Sequence, residues 1–250
     1  MNDRQEALDY SVDTFGEDSK RFGCELSVLQ KEQFERYSEL LVLGNEKMNL
    51  TRIVNPVEVL IKHFLDSLCV GEWINQLSRL KRFGLLDMGS GAGLPGLALK
   101  IAFPDLQVVL CDSQKKRVIF LQEVIDQLHL SGIEAIHSRA EELALRPFFR
   151  EGFPLVTARA VAKLNVLVEW CLPFVEVGGI FLAFKGPDVE EEVRGANMAL
   201  GFLGGTVNET RMYDLPLDMG GRSIVAVEKT RHSPKGFPRG AGEAARKPLG

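Results

Sequence analysis

Cysteine is scarce in this chain of 250 residues, and the four cysteines lie far apart with no C-x-x-C pair among them. Zinc ribbons and redox-active dithiols need closely spaced cysteines, so the sequence argues against both kinds of site. Isolated thiols without a disulfide pattern are typical of reduced core residues in a cytosolic protein. We therefore predict a cytoplasmic protein without a metal site.

Long apolar runs and an export signal are also missing. No uninterrupted apolar stretch approaches the roughly 18 residues that a membrane-spanning helix needs. The first ten residues, MNDRQEALDY, lack the basic and apolar segments of a signal peptide. The sequence therefore predicts no membrane partner, and its apolar content of 45% is ordinary for a globular protein.

An overall positive charge, common in nucleic-acid binders, is absent, since the net charge is −4. Basic residues are nevertheless concentrated in residues 229–250, where six of them stand against one acidic residue. A cationic end on an acidic body suits a polyanion held at one face. The alternative is a frayed tail with solubilising charges, because the segment is rich in Gly, Pro and Ala.

Seven short apolar runs are candidate strands, and most are separated by helical stretches. Their alternation with helices predicts an α/β fold, with a mostly parallel sheet covered by helices on both faces. The last two runs have only a turn between them, so the sheet should end in an antiparallel pair. The runs span 83–89, 106–113, 133–138, 154–161, 178–186, 205–213 and 222–229.

Two helices are predicted before the sheet, as an N-terminal extension. Ser27 is a candidate N-cap for the first, and the residues GNEKMNLT (44–51) are expected to end it. Asn55-Pro56 is a cap followed by proline and should begin the second helix. The residues expected on one face of the first helix are Phe34, Tyr37 and Leu41.

These patterns divide the chain into four predicted segments. A loosely ordered N-terminus comes first, followed by the helical extension, the α/β domain and a basic tail rich in Pro and Gly. Their boundaries are 1–25, 26–82, 83–229 and 230–250.

A glycine-rich turn follows the first predicted strand, in LLDMGSGAGLPGLALK (85–100). Gly91, Gly93 and Gly96 satisfy the dinucleotide pattern G-x-G-x-x-G in the strand and helix context that it requires. Ligands bind beyond the carboxyl ends of the strands in such a sheet, so the turn should face a ligand site. An NAD(P)-dependent reductase is therefore one candidate.

Two acidic residues favour a different ligand. Asp87 forms D-x-G-x-G-x-G with Gly89, Gly91 and Gly93. Its carboxylate would oppose a pyrophosphate at the helix N-terminus but would attract the sulfonium and ammonium groups of S-adenosylmethionine. Asp112 ends the next strand and can bind a ribose diol through two acceptor oxygens. The pattern therefore favours S-adenosylmethionine as the cofactor.

Two familiar methyl-acceptor motifs are missing. Cys171 is followed by Leu172-Pro173, which reverses the Pro-Cys order of a cytosine nucleophile, and no Asn/Asp-Pro-Pro-aromatic turn occurs. What remains is an acceptor with an available lone pair, which needs placement more than a base. The imidazole-edge nitrogen of guanine is such an acceptor.

Seven motifs in family order resemble those of the glucose-inhibited division protein B family of bacterial methyltransferases. They are MNLTRI (48–53), KHFLDSL (62–68), LDMGSGAGLPGLALKI (86–101), CDSQKKRVIFL (111–121), SRAEEL (138–143), TARAVAKLNVL (157–167) and FLAFKG (181–186). The resemblance implies a Rossmann-like class I fold that uses S-adenosylmethionine. It also implies methylation of guanine N7 in 16S ribosomal RNA, with that RNA or the small ribosomal subunit as partner. We expect a monomer.

The resemblance also implies which residues contact the methyl donor. It adds five positions to Asp87, Gly91 and Asp112, which the residue pattern already suggests. One of the five, Arg159, would end a strand at the ligand-facing edge of the sheet. A guanidinium there can hold the donor carboxylate or an RNA phosphate. The five positions are Gly89, Leu94, Ala140, Glu141 and Arg159.

A second group of residues is expected on the acceptor side. His63 and Asp66 are three residues apart on the second helix, which predicts a hydrogen-bonded structural pair. The resemblance suggests instead that they shape the acceptor pocket together with Asn49 and Thr51. The predicted catalytic set is Arg159, Lys185, His63 and Asp66, and the predicted RNA-binding set is Lys163, Lys185 and Arg239.

Two other functions remain open on the residues alone. The hypothesis of an NAD(P)-dependent reductase is supported only by the G-x-G-x-x-G match. Such an enzyme would also need a substrate domain, and the rest of the chain is too short to supply one. A non-catalytic RNA-binding factor on a methyltransferase fold is the other. The intact turn and Asp112 weigh against this factor, because a site that lost its ligand need not keep a ligand-shaped turn.

Overall fold

The computed structural model describes residues 10–81 and 84–250. Within these residues, four helices precede the sheet, and the third of them contains a π-helical stretch. Helix α1 is Val12–Ser19, with a 3-10 turn over Lys20–Phe22, and α2 is Val28–Met48. Helix α3 runs through Pro56–Glu58, the π-helical Val59–Leu65 and Asp66–Leu68, and α4 is Gly71–Arg79.

Seven strands and six more helices follow. The strands are β1 (Gly84–Met88), β2 (Gln107–Asp112), β3 (Ile133–His137), β4 (Phe153–Arg159), β5 (Val175–Lys185), β6 (Gly205–Asp214) and β7 (Gly221–Lys229). The helices are α5 (Gly96–Ala102), α6 (Lys115–Gln127), α7 (Ala140–Leu143), α8 (Leu164–Cys171), α9 (Glu190–Leu203) and α10 (Glu243–Arg246).

The strands form one sheet in the order β3-β2-β1-β4-β5-β7-β6. All neighbours from β3 to β5 are parallel, whereas β7 is antiparallel to both β5 and β6. This confirms the predicted mostly parallel sheet with an antiparallel end. Because β1 lies between β2 and β4, the connections reverse direction there, which leaves a crevice at the carboxyl ends of these strands.

The N-terminal helices pack on the sheet and share a core with it, which includes Phe34, Leu41 and Leu97. Ser27 caps α2 in a capping box with Gln30, as the sequence predicts. Asn55 likewise caps α3, with its side chain accepting from the N–H groups of residues 57 and 58.

One prediction for this region is wrong. Residues 10–25 were expected to be loosely ordered, yet Phe15 of α1 is fully buried, with its ring centroid 4.9 Å from that of Phe34. Residues 1–9 of that predicted segment lie outside the described residues. The stretch 44–51 does end α2, which continues through Gly44 and stops at Met48. A Cβ at Gly44 would lie 2.6 Å from the ring of Phe120, so this glycine permits close packing against α6.

The basic C-terminal segment is folded against the domain. Arg150 donates to the carbonyl groups of Ser233, Pro234 and Phe237. Lys229 is fully buried and donates to Leu172 O and the Ser233 hydroxyl, and burial lowers its pKa to about 8. The alternative of a frayed tail is therefore wrong. Within the two described stretches, no helix has the length and apolarity to cross a membrane.

Candidate functional site

The glycine-rich turn between β1 and α5 forms the centre of the site. Gly89 has φ of 75°, a conformation that favours glycine, and a Cβ on it would lie 2.8 Å from Val161. Gly91, with φ of 58°, has nothing closer than a backbone oxygen at 3.8 Å around its missing Cβ. From behind, the Tyr37 hydroxyl of α2 donates to the carbonyl oxygen of Ala92 at 2.6 Å. The turn thus presents bare backbone to the crevice.

Asp112 fastens the turn to the end of β2. Its Oδ2 accepts from the N–H of Gly91 at 2.9 Å, and its Oδ1 accepts from the N–H of Gln114 at 2.8 Å. Arg117 of α6 lies 3.4 Å from Oδ2. The side chain is buried yet lines a cavity, so its oxygens are fixed at the position where a ribose diol is expected.

Two adjoining cavities lie at this edge of the sheet. The first, which we call the turn cavity, has a volume of about 470 Å³, and its lining includes Gly91, Leu94 and Asp112. The second, the side cavity, has about 120 Å³ and lies at the end of β3, where Ala140 and Glu141 line it. The residues that line both are Gly89, Ser113 and Val161.

This pair of cavities fits S-adenosylmethionine. Its size is that of an ordinary small-molecule site, and the turn cavity, which holds the fixed carboxylate of Asp112, adjoins the mainly apolar side cavity. The indole of Trp170 and the side chain of Met88 are among the walls of the side cavity and suit a flat base. Seven of the eight expected donor-contacting residues line these walls: Gly89, Gly91, Leu94, Asp112, Ala140, Glu141 and Arg159.

Asp87 is placed differently from what the sequence suggests. Its carboxylate is fully buried behind the turn, where it accepts from Gly96 N–H at 3.1 Å and from the Thr157 hydroxyl at 2.8 Å. Burial raises its pKa to about 6. It does not line either cavity, so the expected contact with the sulfonium is not seen. Its observed role is to hold the beginning of α5 against β1 and β4.

Arg159 is also part of the lining of the turn cavity. Its Nη2 lies 2.9 Å from Oδ2 of Asp66, and it also donates to the carbonyl oxygens of Lys62 and His63 and to the Ser67 hydroxyl. The end of β4 is thereby tied to α3. The guanidinium is where the sequence places it, but most of its donors already bind the protein.

His63 and Asp66 are close in sequence but make separate contacts, so the predicted hydrogen-bonded pair is wrong. His63 Nε2 lies 2.9 Å from the Thr51 hydroxyl, whereas Asp66 accepts from the hydroxyl of Tyr213 at 2.7 Å and pairs with Arg159. The π-helical turn changes the spacing on which the prediction relied. Burial, with Arg159 nearby, lowers the pKa of His63 to about 3, so the ring is neutral.

Lys185 lies beside a third cavity rather than in the turn cavity. This space, which we call the basic cavity, has about 270 Å³ and borders the turn cavity through Arg159 and Ala160. The Nζ of Lys185 donates to Ala162 O at 2.8 Å and pairs with Glu192 at 2.6 Å. The residues that line the basic cavity are Asp66, Arg159, Ala160, Phe184, Lys185, Gly186 and Arg222.

The two remaining RNA-binding candidates differ in availability. Lys163 is exposed at the N-terminus of α8, so its charge faces solvent. Arg239 instead donates hydrogen bonds to the fully buried Glu169 from its backbone N–H, Nε and Nη2, and the shortest of these contacts is 2.6 Å. An arginine committed in this way is a poor phosphate ligand, so the structure argues against Arg239 in RNA binding.

Several site residues were missed in the sequence. The sequence marks Tyr37 and Trp170 only as parts of helical stretches, and Arg222 only as the first residue of a strand. Ala160 has φ of 54°, which is unusual for a residue with a side chain and is common near functional sites. No local signal marks these positions, because each is defined by contacts with distant elements. Over the described part of the chain, no three His, Cys, Asp or Glu side chains are grouped as metal ligands.

Known proteins resemble this chain closely. The family model described as GidB, rRNA small subunit methyltransferase G, matches residues 30–215. Ribosomal RNA small subunit methyltransferase G of Leuconostoc mesenteroides subsp. mesenteroides is 48% identical over 227 residues, 91% of this chain and 94% of that protein. The Geobacillus kaustophilus protein of the same name is 45% identical, with the same coverage.

Solved structures are more distant. TrmN from Thermus thermophilus has a TM-score of 0.49 and 17% identity, over 68% of this chain and 53% of that one. The sequence relatives give no support to a reductase or to a non-catalytic factor, and they confirm the resemblance carried by the seven motifs. The chain therefore belongs to the GidB family, rRNA small subunit methyltransferase G.

Proposed function

We propose that this chain transfers the methyl group of S-adenosylmethionine to N7 of a guanine in 16S ribosomal RNA. The main support for this proposal is that a member of the GidB family has the turn cavity and the side cavity at the carboxyl ends of its strands. The basic cavity adjoins the turn cavity and offers an acceptor site.

The donor side of the reaction is assigned to the turn cavity and side cavity. Asp112 accepts from the ribose hydroxyls, and Ala140 and Glu141 hold the base in the side cavity. The methionine end then lies along Gly89 and Leu94 toward Arg159. When bound, the donor supplies an electrophilic methyl group on a cationic sulfonium.

The acceptor guanine is assigned to the basic cavity. Arg159 is shared by the basic cavity and the turn cavity, so a base on one side of it comes close to a donor on the other. Lys185, partly exposed there, can donate to the guanine carbonyl, and Arg222 adds positive charge at the rim. Lys163, which follows the cavity residue Ala160 closely in sequence, is exposed and is available to an RNA phosphate.

A proton acceptor is not needed for this step, because guanine N7 carries a free lone pair. His63, with its pKa lowered to about 3, is a weak base and serves as a neutral wall held by Thr51. Asp66 is a positioning residue that orients Arg159. Holding two reactants in register contributes about 7–11 kcal/mol, so placement alone accounts for a large rate increase.

The proposal is tested by incubating the protein with labelled S-adenosylmethionine and 16S ribosomal RNA that lacks the modification. We expect one labelled base, a guanine methylated at N7, in naked RNA or in the small subunit. Label on another atom or base would overturn the acceptor assignment, and no label on either substrate would overturn the activity. Monomeric state and cytoplasmic location remain predictions, and size-exclusion chromatography tests the first.

A further inference from the structure

We propose that the C-terminal segment 239–247, here called the strap, shapes the adenosine end of the donor site instead of binding RNA. The inference rests on the proposed function, because it assigns the side cavity to the adenine base. Two separate contacts connect the strap to that cavity, one through Glu169 and one through Glu141.

The first contact is the ion pair of Arg239 with Glu169. Glu169 is fully buried, and Arg239 meets it with its backbone N–H and Nε at 2.9 Å and with Nη2 at 2.6 Å. Glu169 directly precedes Trp170 on α8, and the Trp170 indole lines the side cavity. The pair therefore fixes the part of α8 that supplies this wall.

The second contact reaches a donor residue itself. The N–H of Gly242 donates to Oε1 of Glu141 at 3.1 Å, and Glu141 lines the side cavity at the beginning of α7. Gly242 adopts φ of 71°, the left-handed conformation, at the N-cap of α10. Arg239 Nη2 in turn donates to the carbonyl of Lys247, which closes the strap around α10.

Together these contacts make the strap a positioning element. With the strap docked, one carboxylate oxygen of Glu141 is occupied and its side chain is held at the cavity wall. With the strap released, Glu141 would rotate freely and the α8 wall would lose its support. Ordering both groups before binding removes an entropic penalty, so the strap should increase donor affinity. The strap cations most exposed to solvent, Arg246 and Lys247, line neither the turn cavity nor the side cavity.

The test compares full-length variants. Arg239→Ala combined with Glu169→Gln releases the strap without leaving an unpaired buried carboxylate, and Arg239→Lys keeps the charge while losing the planar fork. Glu169→Gln alone is the matched background. Lys235→Ala is the control, since it removes an exposed cation from the same tail.

Donor affinity is measured by calorimetry with S-adenosylmethionine and with 5′-methylthioadenosine, which carries only the adenosine end. We expect the double variant to bind both about tenfold more weakly, because Glu141 and the α8 wall must then be ordered on binding, with Arg239→Lys intermediate. The KM for the donor should rise by a similar factor, and the KM for RNA should stay unchanged. Lys235→Ala should match the wild type.

Fluorescence gives a local readout. The chain has two tryptophans, and in a Trp73→Phe background only Trp170 reports. Donor binding should change Trp170 emission in this background and the change should require about tenfold more donor in the double variant. The Trp170 signal reports on the wall of the side cavity. If the double variant lost global stability but needed the same donor concentration for half of the emission change, the result would count against the strap.

Three outcomes separate the hypotheses. Unchanged donor binding in the folded double variant, or a higher KM for RNA alone, would overturn the role of the strap while leaving the proposed function intact. If the wild type bound neither compound, the proposed function would fail and this inference with it. If the double variant did not fold, equal donor affinity of Arg239→Lys and wild type would also overturn the inference.

Discussion

Arg159 and Asp66 are joined by an ion pair of 2.9 Å that ties the end of β4 to α3. Asp66 is nearly inaccessible, and its other oxygen accepts from the hydroxyl of Tyr213 on β6. Arg222 of β7 lies 3.7 Å from the same carboxylate. One carboxylate therefore gathers elements from three parts of the chain at the boundary between the turn cavity and the basic cavity.

Arg159→Ala should reduce both stability and methyl transfer. Removing one partner of a buried pair costs about 3–5 kcal/mol, because Asp66 would remain buried without its main counter-charge. Urea unfolding measures the stability change, and single-turnover transfer measures the second effect. Arg194→Ala is the control, because that arginine is exposed and its ion pairs are long. Wild-type transfer in Arg159→Ala would remove this residue from the site.

Asp112→Asn should weaken binding of S-adenosylmethionine. An asparagine can offer only one acceptor oxygen, so it cannot serve Gly91, Gln114 and a ribose hydroxyl together. Loss of a charged hydrogen bond of about 1.5–3 kcal/mol corresponds to roughly 10- to 150-fold in Kd, measured by calorimetry. Asp105→Asn, at an exposed position just before β2, should bind as the wild type does. Equal affinities in the two variants would contradict the ribose assignment.

His63 should make the protein less stable in mild acid. Its pKa is about 3 in the folded chain, against about 6.5 when unfolded, so between these values only the unfolded state takes up the proton. Stability then falls by about 1.4 kcal/mol for each pH unit below 6.5. From pH 7 to pH 5 the wild type should lose about 2 kcal/mol more than His63→Gln in urea unfolding. His137→Gln, at an exposed strand position, should lose as much as the wild type.

Asp87 should act in the opposite direction over part of the same range. Burial raises its folded pKa to about 6 from an ordinary 3.8, so between these values the folded state holds the proton and the unfolded state does not. The wild type should therefore lose stability relative to Asp87→Asn as the pH rises from 4 to 7, by roughly 2 kcal/mol. Parallel urea-derived stability curves for the two proteins would contradict this. An asparagine can still accept from Gly96 N–H and donate to Thr157.

Salt dependence should distinguish the basic residues from one another. Lys163→Ala removes one exposed cation and should lower the log–log slope of RNA affinity against salt by about 0.7, the value for one phosphate on a single strand. The Arg239→Ala, Glu169→Gln double variant should leave the slope unchanged, because Arg239 is engaged with Glu169 in the wild type. Lys20→Ala, on the 3-10 turn after α1, is the surface control. A reduced slope in this double variant would return RNA binding to the strap.

The sheet and the turn were predictable because their signals are local. Apolar runs, caps at Ser27 and Asn55, and the spacing of Gly89 and Gly91 each depend on a few neighbouring residues. These local signals therefore predicted the seven strands, the antiparallel end of the sheet and the glycine-rich turn that lines the turn cavity. The family motifs added Ala140 and Glu141, which no local pattern marks, and the structure places both in the side cavity.

Side-chain roles were less predictable, because they depend on partners far away in sequence. Asp87 was expected to face a ligand, but Thr157 and Gly96 engage its carboxylate from behind. His63 was paired with Asp66 by helical spacing, which a π-helical turn does not keep. The residues around Arg239 have the composition of a solvated tail, and only the three-dimensional packing shows that Arg239 forms an ion pair with the buried Glu169.

The hydrogen bond from Tyr37 to Ala92 has a practical consequence for anyone who wishes to shorten this protein. Removing the residues before β1 would keep all seven strands in the chain, yet the glycine-rich turn that we assign to the methyl donor would lose the support of Tyr37. Phe34 and Leu41, on the same helix as Tyr37, would take part of the common core with them. A minimal or transplanted version of the donor-binding unit must therefore carry Val28–Met48, a stretch that makes no strand at all.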